Sequence, residues 1–287
     1  MSDAQILDRG YRRFEGERSG VRGSMRSVAW HTTRSILGLG RPARHKVFPV
    51  IVIVIAFIPA LVFLALTAFI GDLLEGELRP EYWEMFGFSF LATVAFTALV
   101  APEAIVRDRR DRMFSLYLST PLSRTTYLLA KVGAVLLTMT LIVLGPALLA
   151  LIGFTLQSLG PDGPVAWLGV MWRLLVVGLA ICAVYTTLSL GVASLTDRRA
   201  FASIAVVLVM VGTALVSGLL VEEAGMSDNW RVLDPVGSAL ELAPRMFGDR
   251  GEEFQDVSTW VVLLGSGGWA ALGSALLLGR YRKLAAV

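Results

Sequence analysis

The residues with the most capacity for specific chemistry lie in one stretch, Glu103 to Lys131, EAIVRDRRDRMFSLYLSTPLSRTTYLLAK. Glu103, Arg107, Arg110 and Asp111, with Asp108 among them, recur at helical intervals, so a short helix there presents a charged face. Met113, Phe114, Leu116, Tyr117 and Leu118 follow as an apolar patch too short to cross a membrane. Ser119-Thr120-Pro121 breaks the helix, and Ser123-Arg124-Thr125-Thr126 restarts it with a hydroxyl placed as N-cap. The chemistry is recognition: aromatic anchors supply affinity and charges set register when such a stub enters a groove on a soluble protein. The alternative is a positively charged hairpin with an interfacial helix that only fixes topology. The residues alone leave both readings open.

Nothing comparable supports catalysis. The chain has no G-x-x-x-x-G-K-[ST] phosphate loop, no H-E-x-x-H and no C-x-x-C, and no Ser/His/Asp set that assembles in a membrane. Cys182 is the only cysteine, which excludes an intrachain disulfide and a cysteine-based metal site. Both histidines, His31 and His45, fall before the first apolar run. The chain is therefore expected not to be an enzyme and to hold no metal or cofactor. Energy for any active transport must come from a partner.

The elements that position this stretch are apolar runs. The chain is 55% hydrophobic and 17% charged, with a mean hydropathy of +0.66, whereas soluble domains carry roughly 25% charged residues. The excess falls in runs long enough to cross a hydrocarbon core about 30 Å thick. The class is a polytopic, all-α membrane protein.

Residues 1–47 form a basic tail, expected to be cytoplasmic and without a cleavable signal peptide. It holds ten Lys/Arg and four Asp/Glu. Met25, Val28, Ala29, Thr32, Ile36 and Leu39 share one helical face, while Trp30 and Leu37 depart from it. This reads as an interfacial "elbow" helix on the inner leaflet or as a tail that only sets topology. Residues 48–287 form the membrane domain, with spans expected near 49–70, 87–106, 126–154, 165–195, 200–221 and 258–279. Gly145-Pro146 is expected to kink the third. Before the sixth, DPVGSALELAPRMF carries Val236, Leu240, Ala243 and Phe247 at helical spacing between Pro235 and Pro244. It reads as short helices dipping into the outer leaflet or capping an exit, or as a surface helix packed on the bundle.

Six spans put both ends of the chain on one side. The tail, the 107–125 crossing, the 197–199 turn and the C-terminal residues hold 20 of the 26 Lys/Arg. The three opposite loops hold four Lys/Arg and 15 of the 23 acids. The positive-inside rule then makes the first set cytoplasmic. Glu103, Lys131 and Arg173 are the charged residues within the spans. Lys131 is expected to snorkel to the interface and Arg173 to protrude from the long fourth span. Ion-coupled pumps place carboxylates or histidines at membrane depth, and only Glu103, at the inner edge, qualifies. That disfavours a secondary transporter.

Leu118-Ser119-Thr120-Pro121-Leu122-Ser123-Arg124, with Lys131 beyond it, resembles the signature region of ABC transporter permeases of the type-2 exporter family. Ala130 stands where the family often has Gly, and Arg112-Met113-Phe114 replaces its Gly-Thr. The tail fragment Gly10–Arg18 also resembles the start of some bacterial members. The resemblance implies a six-span permease with an elbow helix, a cytoplasmic coupling helix between spans two and three, and short outer helices before span six. It implies an ABC ATPase subunit as partner, which would bind ATP and magnesium, and a second permease subunit, identical or related. Glu103, Arg107, Asp108, Arg110, Asp111, Phe114 and Tyr117 are then the ATPase-facing set, and spans two and five line the path. The expected setting is a bacterial cytoplasmic membrane, with lipids and no nucleic acid as further partners, and the cargo favoured is apolar or amphipathic. The other readings are an ion-coupled secondary transporter and a membrane anchor or scaffold of a multisubunit complex.

Overall fold

The computed structural model describes residues 20–70, 80–111, 113, 116–117 and 119–283. Phe114 and Leu118, named above, lie outside the described residues, as does the tail fragment at Gly10–Arg18. Among the described residues six helices are long and apolar enough to cross a membrane, and they serve here as spans one to six. They are His45–Phe69, Phe90–Arg110, Arg124–Leu156, Gly163–Ala193, Arg199–Glu223 and Thr259–Arg282. An apolar segment in lipid must satisfy its own backbone, which selects helix. Span three runs unbroken through Gly145-Pro146, and Ser123 caps it, its side chain accepting from the Thr126 amide at 3.2 Å.

Spans two, three and four are mostly buried, whereas one, five and six are mostly exposed and form the periphery. The buried set includes Phe96, Met139, Ile142, Phe154 and Tyr185. Close helix approach rests on small residues. A Cβ on Gly145 or Gly153 of span three would strike Phe57 or Leu64 of span one. Gly191 of span four faces the backbone of Gly273 in span six, and Gly273 faces the backbone of Thr187 and Leu188 in span four, so this crossing admits no side chain at either position. Gly267 and Gly268 meet nothing within 4 Å. Span five is interrupted by π-helical turns at Leu208–Gly212 and Leu219–Glu223, each an extra residue that shifts the helical face.

The leading helix, Gly20–Ile36, buries Val28, Thr32, Thr33 and Ile36. Met25 and Ala29 are partly buried against the same core, and Trp30 is 60% exposed. Its apolar face is therefore turned onto the bundle, beside Gly133, Ala134 and Leu137 of span three. Leu39 lies beyond the helix end and is exposed.

At the opposite, acidic end, the segment before span six folds into Asp228–Leu233, Pro235–Leu240 and Leu242–Phe247. Asp234 caps the second of these, accepting from the Val236 amide at 2.8 Å. Pro244 lies within the third rather than bounding it. The helices pack on the bundle. Trp269 donates to the Val232 carbonyl at 2.9 Å and Ser266 to the Ser238 carbonyl at 2.8 Å, both from span six. Arg245 ties the closing loop, pairing with Glu241 at 2.6 Å and donating to the carbonyls of Phe254 and Val257.

Candidate functional site

Span two does not end at Val106. It continues to Arg110, so the charged run forms its last two turns instead of beginning a separate helix. A helix that continues past buried Ile105 carries Asp108 and Arg109 onto the same inward face, three and four residues on. That spacing sorts the run into residues turned into the protein and residues turned out.

Glu103 is turned in, 7% exposed, and holds three arginines from three elements. Its Oε1 lies 2.7 Å from Arg41, in the link between the leading helix and span one, and 2.9 Å from Arg107, one turn along span two. Its Oε2 lies 3.0 Å from Arg199, the first residue of span five. Ser35 donates to Oε1 at 3.2 Å and accepts from Arg41 and Arg107. One carboxylate thus pins the leading segment and span five to span two. The surplus of guanidinium groups over carboxylates makes the node positive.

Asp108 is also turned in. Its Oδ2 lies 2.6 Å from Lys131 Nζ and accepts from the Tyr127 hydroxyl at 2.8 Å. The Tyr117 and Tyr127 rings flank Lys131, with centroids 5.7 and 5.6 Å from Nζ, a cation–π arrangement. Lys131 therefore does not snorkel outward as expected. Its partner is already inside, and reaching water would strand Asp108 as a buried charge. Burial, with the Asp108 charge as a lesser cause, pushes the Tyr117 hydroxyl above its ordinary range, so it stays a neutral phenol beside the pair.

Arg109, which sequence reasoning left out of the site, closes the end of span four. Its guanidinium donates to the Ser194 carbonyl at 2.7 Å, also reaches those of Ala193 and Thr196, and lies 3.3 Å from Asp197. These are carbonyls that a helix C-terminus leaves without partners, at the negative end of its dipole.

Of the seven residues expected to face a partner, Glu103, Asp108 and Tyr117 are thus engaged inward. Arg107 is divided, 41% exposed, bonded to Glu103 and 3.5 Å from Asp111. Arg110 and Asp111 face outward. Phe114 lies outside the described residues. Arg41, Arg109, Lys131 and Arg199 join the set. Among the described residues no group of His, Cys, Asp and Glu is arranged to hold a metal. The arrangement is an electrostatic clamp: it ties one end of spans two, three, four and five together beside a short exposed charged edge.

Residues 81–235 match the family model described as ABC-2 family transporter protein. The match opens before span two and closes after span five, so it contains the whole clamp apart from Arg41 and Ser35. No curated protein matches the chain.

Proposed function

The chain belongs to the ABC-2 family of transporter proteins, and we propose that it is the membrane-spanning permease subunit of an ATP-driven exporter in a bacterial cytoplasmic membrane. Two such subunits pair, and each carries a separate ATPase subunit that binds ATP and magnesium. The clamp at the end of span two is the observation that carries the reading. It joins an exposed polar edge to four spans through the buried carboxylates Glu103 and Asp108 and the hydrogen bonds of Arg109, which is what transmission of motion from a soluble motor requires.

In this reading Arg110 and Asp111, with Arg107 at the margin, seat in the ATPase, and Met113 and Phe114 add the apolar contact. Glu103, Asp108 and Tyr117 pass motion onward: through Asp108–Lys131 to span three, and through Glu103–Arg199 to span five. Arg109 carries span four along. The leading helix, fixed by Arg41–Glu103, serves as the elbow. The basic end lies in the cytoplasm, in keeping with the separation of basic and acidic loops. Closure of the ATPase pair on ATP then moves span two against span five, and the π turns of span five are where its helical face can shift.

The test is transport-coupled ATP hydrolysis by the reconstituted permease and ATPase. Charge reversal of Arg110→Glu with Asp111→Lys is expected to abolish stimulation of the ATPase while leaving membrane insertion intact. Unchanged stimulation would overturn the coupling role.

A further inference from the structure

We propose that the basic end of the bundle holds a binding site for one anionic phospholipid, in the cleft between the start of span one, the end of span two and the start of span five. The inference rests on the membrane placement of these spans and not on the ATPase reading.

Two cavities meet at the Glu103 node. The larger, about 390 Å³, is walled by Arg41, Arg107, Arg110 and Arg199 against the two carboxylates Glu103 and Asp111. Four guanidinium groups over two carboxylates leave an excess of two positive charges in a recess at the headgroup level, where spans one and five begin and span two ends. The smaller, about 150 Å³, shares Arg41, His45, Glu103 and Arg199 with the first and continues between Phe48, Pro49, Phe96 and Leu99. Phe48 is half exposed, and so are Val47, Val50 and Ile51 beside it on span one, so the apolar branch opens toward the hydrocarbon.

A polar, cationic chamber that runs into an apolar groove matches a phosphodiester headgroup with attached acyl chains. Guanidinium groups bind phosphate oxygens through paired N–H donors, and basic pockets between spans suit anionic headgroups. The phosphate sits on Arg199, which meets Glu103 through one nitrogen and stays half exposed, with Arg41 beside it, and one acyl chain lies along Phe48 and Leu99. A lipid held there adds span one to spans two and five, which Glu103 already joins.

Native mass spectrometry of the purified full-length chain, titrated with dioleoyl phosphatidylglycerol or dioleoyl phosphatidylcholine, tests this. The anionic lipid is expected to bind about tenfold more tightly, in keeping with the attraction of one or two basic side chains. Arg199→Gln should remove most of the preference. Leu99→Trp fills the groove and spares every arginine, and should weaken the anionic lipid as well. Equal retention of the two lipids by the wild type, or an unchanged affinity for the anionic lipid in Leu99→Trp, would overturn the site. Inorganic phosphate that displaces the lipid at equal concentration would overturn the lipid assignment in favour of a soluble phosphate.

Discussion

Lys131 Nζ lies 2.6 Å from Asp108 Oδ2, with the Lys131 side chain 3% and the Asp108 side chain 13% exposed. This pair locks the last turn of span two to the second turn of span three, and two tyrosine rings close over it. A buried pair of this kind contributes little relative to well-packed apolar residues, yet losing one member leaves a stranded charge.

Asp108→Ala or Lys131→Ala should each therefore destabilise the chain by about 3–5 kcal/mol. The joint replacement Asp108→Leu with Lys131→Met should be milder than either. Apparent melting temperatures of the detergent-solubilised variants, followed by size-exclusion chromatography, read the order. A double variant less stable than both singles would contradict the account.

The contact between Gly191 and Gly273 makes a second, separate prediction. A valine at either position meets backbone atoms of the facing helix, which cannot swing aside as a side-chain tip can. Overpacking costs about 1–3 kcal/mol where side chains give way, and more is expected here. Gly191→Val and Gly273→Val should lower the yield of monodisperse protein sharply. Gly267→Val, where nothing lies within 4 Å, should leave it unchanged.

The same comparison marks what the sequence made legible. Long apolar runs are visible because lipid demands them, so six spans, the hydroxyl cap of span three and the short helices around Val236 and Ala243 could all be read from the chain. The direction of each charged side chain could not. Placing the end of span two at Val106 made Asp108 look like a surface charge, and four more helical residues turn it inward. Lys131 read as a residue bound for the interface because its partner lies 23 positions earlier, on another helix. Arg41 and Arg199 converge on Glu103 from segments 62 and 96 residues away, and no spacing within one helix reveals that. Arg109 had a local signal, its place one turn beyond buried Ile105, which a longer span two would have exposed.

The acidic end offers a dependence on pH. Burial raises the carboxyl groups of both Asp234 and Glu241, against the opposing pull of their hydrogen-bond donors. A carboxyl raised on folding binds its proton more tightly in the folded state. Its contribution is fully present below the ordinary carboxylate range and is lost as pH rises through the folded value. The segment 234–257 should therefore become better protected on acidification. Hydrogen exchange of its amides, corrected for intrinsic rates, should show slower opening at mildly acidic pH than at neutral pH, and Asp234→Asn with Glu241→Gln should flatten the difference. Faster opening on acidification in the wild type would contradict the assignment.

The central claim is that Arg110 and Asp111 form the edge on which a separate ATPase subunit seats. The most direct test is purification of the tagged chain from its native cell in mild detergent, with the bound proteins identified by mass spectrometry. The account predicts a stoichiometric ATPase subunit with the wild type and its loss from the Arg110→Glu, Asp111→Lys variant, while the variant still inserts and elutes as a folded species. Recovery of the wild-type chain without an ATPase, or an ATPase retained equally by the variant, would contradict it.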